Sequence, residues 1–155
     1  MPHAPQALSD LRPLAGVKVV EFCQIASGPF CGMLLADFGA EVVKVEPPEG
    51  DAMRTWPPLS AGYSENFASL NRGKRSIALD LKQPDDLALA RRLALDADVL
   101  VENSRPGAMQ RLGLAGTGLP RASRNSCIAR SRPTGRTARA AARAALTSPS
   151  RPRPA

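Results

Sequence analysis

The chain has 155 residues, 21 Lys and Arg against 14 Asp and Glu, and a formal net charge of +7. That total describes no single object: residues 1–114 hold 12 basic and 14 acidic side chains, net −2, while the last 41 hold nine arginines and no acid. The charge pattern argues against a basic nucleic-acid-binding domain in the first part, and no apolar run approaches the ~20 residues of a membrane span.

Residues 1–12 predict a flexible lead-in without the basic and apolar regions of a signal peptide. Cys23, Cys31 and Cys127 are an odd count without framework spacing, which points to a reducing, cytoplasmic setting. Val17–Cys23 is β-branched and mostly apolar, a buried strand. Ser27-Gly28-Pro29 then opens a helix, with Phe30, Met33, Leu34 and Phe38 predicted as its core stripe and Gly39 as its stop. Glu41–Glu46 is a second strand, so the three elements make a βαβ unit with parallel pairing.

Pro47 to about Asn71 reads as a long irregular stretch. Ser76–Leu81 alternates as a short strand. Pro84 with Asp85 and Asp86 starts a helix whose stripe is Leu87, Ala90, Leu93 (or Ala94) and Ala97. Asp98–Asn103 is a further strand, and Pro106–Gly113 a short helix stopped by glycine. The sum is an α/β chain with a partial parallel sheet, after which periodicity stops.

Three segments could hold an anion. The first strand-to-helix turn, Gln24, Ile25, Ala26 and Ser27, lacks the dinucleotide and P-loop glycine patterns, yet a strand end feeding a helix gathers backbone N–H groups. It is either such a site or an ordinary connection. Asn71-Arg72-Gly73-Lys74-Arg75-Ser76 sets three cations around a glycine, suited to a polyphosphate or simply to solvent. Asn103, Ser104 and Arg105, with Arg111 a turn later, lie where a strand ends, as a ligand site or a helix-capping loop. His3 falls in the lead-in and is discounted as a catalyst. Cys23 and Cys31 lack a paired histidine or C-x-x-C spacing. Asp51 and Asp80 are the nearest carboxylates, but neither has a partner that defines a reaction.

Taken in order, LAGVKVVEF, ASGPFCGMLLADFGAEVVKVEPPEGD, LNRGKRSIALDLK and ADVLVENSRPGAMQRLGL resemble the N-terminal part of the family III CoA-transferases, a family that includes the α-methylacyl-CoA racemases. The resemblance covers residues 13–114. It implies a Rossmann-like domain, an interlocked homodimer in full-length members, acyl-CoA and a carboxylic acid as substrates, and coenzyme A as the ligand. The positions matching the family's coenzyme A contacts are Gln24, Ile25, Ala26 and Ser27; Leu79, Asp80, Leu81 and Lys82; Asn103, Ser104 and Arg105; and Arg111. Pro47 stands where members often carry an arginine. The transferases' aspartate nucleophile and the racemases' His/Asp acid–base pair follow the matched segment, so no catalytic residue is assigned.

Residues 115–155 are rich in Arg, Ala and Pro and are predicted to be disordered. They suggest a reading-frame shift near Ala115. Permitted codons for Asn125–Ala138, read from the third nucleotide, give Leu-Val-Tyr-Cys-Ser-Ile-Ser-Ala-Tyr-Gly-Pro-Asp-Gly, a strand of the family's type. On this reading the chain is a fragment with part of a coenzyme A site and no catalytic residues. Two alternatives stand beside it: an α-methylacyl-CoA racemase-type fragment, which the matched segment does not separate from a transferase, and nonspecific nucleic-acid binding through the nine arginines, which lacks aromatic stacking residues.

Overall fold

The computed structural model describes residues 12–114 and, as backbone, 127–130. The rest of the lead-in and of the basic tail, with the frame-shift and nucleic-acid readings placed there, lie outside the described residues. The elements are β1 (Lys18–Phe22), α1 (Ser27–Asp37), β2 (Glu41–Glu46), a 3-10 turn (Ala52–Thr55), β3 (Leu59–Ser60), β4 (Tyr63–Ser64), α2 (Glu65–Asn71), β5 (Lys74–Ala78), α3 (Pro84–Asp96), β6 (Val99–Glu102), α4 (Ala108–Arg111) and β7 (Cys127–Arg130).

Five strands form one parallel sheet in the order β5-β2-β1-β6-β7, and β3 pairs antiparallel with β4 in a separate short hairpin. β1 is central, with Val20 in register with Val43 of β2 and Leu100 of β6. The period-2 alternation of side chains assigns each strand residue to a face. Val20, Phe22, Val45, Leu79 and Leu100 meet Ala90 and Ala94 of α3 and Met109 of α4. Val19, Cys23, Val42 and Val101 meet Leu35 and Ala36 of α1 on the opposite face. The sheet is thus covered on both sides, the Rossmann-like arrangement that parallel strands require.

Four expectations change. Of the predicted α1 stripe only Met33 is buried; the helix otherwise buries Gly28, Pro29 and Gly32, and Phe30, Leu34 and Phe38 are exposed at 49%, 39% and 54%. The glycines let the helix approach β1 closely: a Cβ at Gly28 would lie 2.3 Å from Cys23 Sγ. The stretch after Pro47 contains the 3-10 turn, the β3–β4 hairpin and α2, whose start is capped by Ser64 accepting from the Phe67 N–H. The third predicted strand is displaced, β5 running from Lys74 to Ala78 rather than over residues 76–81. Finally, β7 lies in the stretch predicted to lack structure, and it pairs with the backbone of β6, which would otherwise be a sheet edge.

Candidate functional site at the strand ends

The chain runs from β1 to β2 to β5 in one direction and then crosses back to β6 on the other side of β1. The crevice beyond the carboxyl ends of β1 and β6 is the switch point at which parallel sheets gather ligands. Here the strand ends open into a cleft of about 580 Å³. Its walls come from the turn after β1 (Gln24, Ile25), the end of β2 (Val45 to Pro47), the segment after β5 (Leu79 to Lys82) and the turn after β6 (Asn103 to Arg105). Met109 and Leu112 supply an apolar floor.

The first turn is fixed from two sides. Gln24 N–H donates to Asn103 Oδ1 at 3.1 Å, and Asn103 Nδ2 donates to the Gln24 carbonyl at 2.8 Å. Ile25 N–H donates to both carboxylate oxygens of Asp51, each at 3.2 Å. Ile25 sits at φ 70°, a left-handed conformation that β-branched residues rarely adopt. Two of the N–H groups that the sequence offers to an anion are therefore already used inside the protein.

Beneath the turn lies a buried row of charge. Period 2 puts Glu21, Lys44, Glu46 and Lys74 on the α1 face, and Glu21 is the register partner of Lys44. Lys44 Nζ lies 3.1 Å from Glu21 Oε1 and 2.9 Å from Asp51 Oδ2, and donates to the Cys23 carbonyl at 2.7 Å. Lys74 Nζ reaches Glu21 Oε2, the Pro29 carbonyl and Asn71 Oδ1 at 2.8, 2.8 and 3.0 Å. Burial lowers the Lys74 ammonium, while Glu21 acts in the other direction. Glu46 accepts from Arg54 Nε and Nη2, each at 2.7 Å, from Ser76 Oγ at 2.6 Å and from Asp51 N–H at 2.8 Å. Burial pushes the Glu46 carboxyl up, but these donors outweigh it and hold the group down at about 2. Arg54 also lies 3.9 Å from the Phe67 ring centroid.

Nine of the twelve sequence-assigned residues line the cleft: Gln24, Ile25, Leu79 to Lys82, and Asn103 to Arg105. Ala26, Ser27 and Arg111 do not. Lys82 and Arg105 make no ion pair among the described residues, so the cleft wall carries two cations suited to an anionic ligand. Asp80 is occupied locally, with Oδ1 accepting from the Lys82 N–H at 3.0 Å. The polyphosphate reading of Arg72, Lys74 and Arg75 is corrected. These residues sit at the amino end of β5, away from the cleft, and pair with Asp37, Glu21 and Glu41 respectively. Cys23 is buried, and that burial, reinforced by Glu21, pushes its thiol up and away from nucleophilic character. Among the described residues no group of three or more His, Cys, Asp or Glu is placed to hold a metal, and no helix is long and apolar enough to cross a membrane.

The family model for CoA-transferase family III matches residues 14–144. The chain belongs to that family. Its match runs past Leu114 and includes β7. A succinate–glutarate CoA-transferase of Agrobacterium fabrum is 45% identical over 113 residues, covering 66% of this chain and 28% of the relative. The human succinyl-CoA:glutarate CoA-transferase is 43% identical over 113 residues, covering 71% and 26%. A crystal structure of a CAIB/BAIF family protein from Brucella suis superposes with a TM-score of 0.71 at 41% identity, covering 76% of this chain and 32% of that one. The chain thus spans about a quarter of the length of the curated relatives it matches.

Within this family III chain, sequence reasoning missed the supports behind the cleft. Glu21, Lys44 and Glu46 interrupt otherwise apolar strands, and opposite charges at facing positions of two buried strands were the available signal. Asp51 reads in sequence as an isolated carboxylate, whereas its side chain is fully buried and held by Lys44 and by the backbone N–H groups of Ile25 and Met53.

Proposed function

We propose that this chain carries the coenzyme-A-binding N-terminal part of a family III CoA-transferase. The observation that carries the reading is convergence. Three segments far apart in sequence, each matching the family's ligand contacts, meet at one cleft. The mixed wall suits a long ligand with an anionic end and an apolar arm. Lys82 and Arg105 would attract phosphate, and Leu79, Met109 and Leu112 would pack against the uncharged part. Asn103 then acts mainly by holding Gln24.

The reaction proposed for the complete enzyme moves coenzyme A from an acyl-CoA to a carboxylate. One thioester bond breaks and another forms. An oxygen of the acceptor carboxylate leaves with the donor acid. The relatives' names suggest succinyl-CoA as donor and a dicarboxylate such as glutarate as acceptor. The described residues offer binding groups without an activated nucleophile, and binding alone does not lower a chemical barrier. Calorimetric titration of the 155-residue chain with coenzyme A should show binding that adenosine cannot match, and succinyl-CoA with glutarate should show no turnover. Equal affinity for adenosine, or measurable turnover, would refute this reading. A cytoplasmic location and the fragmentary, out-of-frame origin of residues 115–155 belong to the same proposal. Sequencing the gene tests the second point: codons 125–138 must encode the family strand in the neighbouring frame.

A further inference from the structure

The cleft wall at Ile25 is held by a carboxylate that does not itself reach the cleft. Ile25 is 41% exposed and lines the cleft, yet its backbone lies in the left-handed region at φ 70°. Such a conformation persists in a β-branched residue only where its surroundings over-determine it. On one side Asn103 fixes both the N–H and the carbonyl of Gln24. On the other, both oxygens of Asp51 accept from the Ile25 N–H. Asp51 is in turn immobilised: Lys44 lies 2.9 Å away, the Met53 N–H donates to it at 3.0 Å, and its own N–H donates to Glu46. Its side chain is fully buried and is not among the residues lining the cleft.

We propose that Asp51 is a positioning residue of the coenzyme A cleft, acting through the backbone of Ile25. This rests on the reading of the cleft as a coenzyme A site. The plain alternative is that Asp51 only caps the 3-10 turn at Met53 and neutralises Lys44. That role would leave the turn at residues 24–25 unchanged when Asp51 is altered conservatively.

The test uses the full 155-residue chain, coenzyme A as the probe, and the variants Asp51→Asn, Ile25→Gly and the two combined. Asparagine keeps an acceptor for Met53 but gives up one of the two oxygens facing Ile25. Amide exchange at Ile25, followed by NMR, should accelerate in D51N on the order of tenfold, and the Kd for coenzyme A should rise by a similar factor. Glycine adopts φ near 70° without strain, so I25G is expected to fold, but it loses the wall and should weaken binding as well. Because both act through one turn, D51N on top of I25G should cost little further affinity. Losses that multiply would overturn the proposal, as would D51N binding coenzyme A like the unsubstituted chain. If D51N does not fold, I25G alone decides, and unchanged affinity there overturns the proposal. Failure of the unsubstituted chain to bind coenzyme A sinks the cleft reading, and the proposal with it.

Discussion

Asn103 and Gln24 are joined twice, the amide of one closing both the donor and the acceptor of the other's backbone at 3.1 and 2.8 Å. The pair ties the end of β6 to the turn after β1 across the switch point of the sheet. A single side chain therefore sets the distance between two walls of the cleft.

Asn103→Ala removes both bonds at once. At roughly 0.5–1.5 kcal/mol for each, the chain should lose about 1–3 kcal/mol. Urea denaturation followed by circular dichroism reads this directly. Asn103→Asp is the sharper variant, because it keeps the acceptor for Gln24 N–H but replaces the donor with a carboxylate facing a carbonyl. It should be at least as destabilising as alanine.

The buried row of charge gives a larger effect. Lys44 is 1% exposed and serves Glu21, Asp51 and the Cys23 carbonyl. Lys44→Met leaves Asp51 with an uncompensated buried charge, whereas Glu21 keeps Lys74. Breaking such a pair from one side costs about 3–5 kcal/mol, a large share of the ~5–15 kcal/mol of a typical domain. A denaturation midpoint within error of the native chain would show that the row is not structural.

Gly32 tests the same row by sterics. A Cβ there would lie 1.9 Å from Glu21 Oε2 and 3.2 Å from Lys74 Nζ. Gly32→Ala must therefore move the helix or displace the carboxylate from its lysine. We expect a loss on the order of 3 kcal/mol or failure to fold, by the penalty for a broken buried pair. Leu34, on the outer face of α1, serves as the control: Leu34→Ala should change stability far less.

β1, β2 and β6 were legible in the sequence because they are β-branched and apolar, and α1 and α3 because a small residue or proline opens them, whereas β5 was displaced and β7 missed. Asn103 to Arg105 could be singled out because parallel strand ends gather ligands, whereas Leu79 to Lys82 came from the family resemblance alone. The buried face of α1 was not legible. Phe30, Leu34 and Phe38 have the helical period, but Gly28 and Gly32 decide which side can approach β1, and close approach overrides side-chain size. Lys74 reads as a solvated cation beside Arg72 and Arg75, and only the tertiary fold brings Glu21 against it. Asp51 was named as a carboxylate near the candidate sites, but its role was illegible for the same reason, since its partners Ile25 and Lys44 come from other segments of the chain.

Glu46 supplies a prediction in pH. Its carboxyl is held down at about 2 by Arg54, Ser76 and the Asp51 N–H against the opposing effect of burial, while an unfolded chain leaves it near its ordinary value of 4.5. A carboxyl depressed in the folded state binds protons more readily when unfolded. Its contribution to stability is thus complete above about pH 4.5 and fades as the pH falls toward 2. Glu46→Gln removes the charge and should be less stable than the native chain at pH 7. The gap should hold down to about pH 5 and then narrow steadily on further acidification. Paired denaturation curves from about pH 7 to about pH 2.5 measure it. A gap that stays constant across that range would mean that the ionised carboxylate contributes no more than its neutral isostere, and that Arg54 gains nothing from facing it.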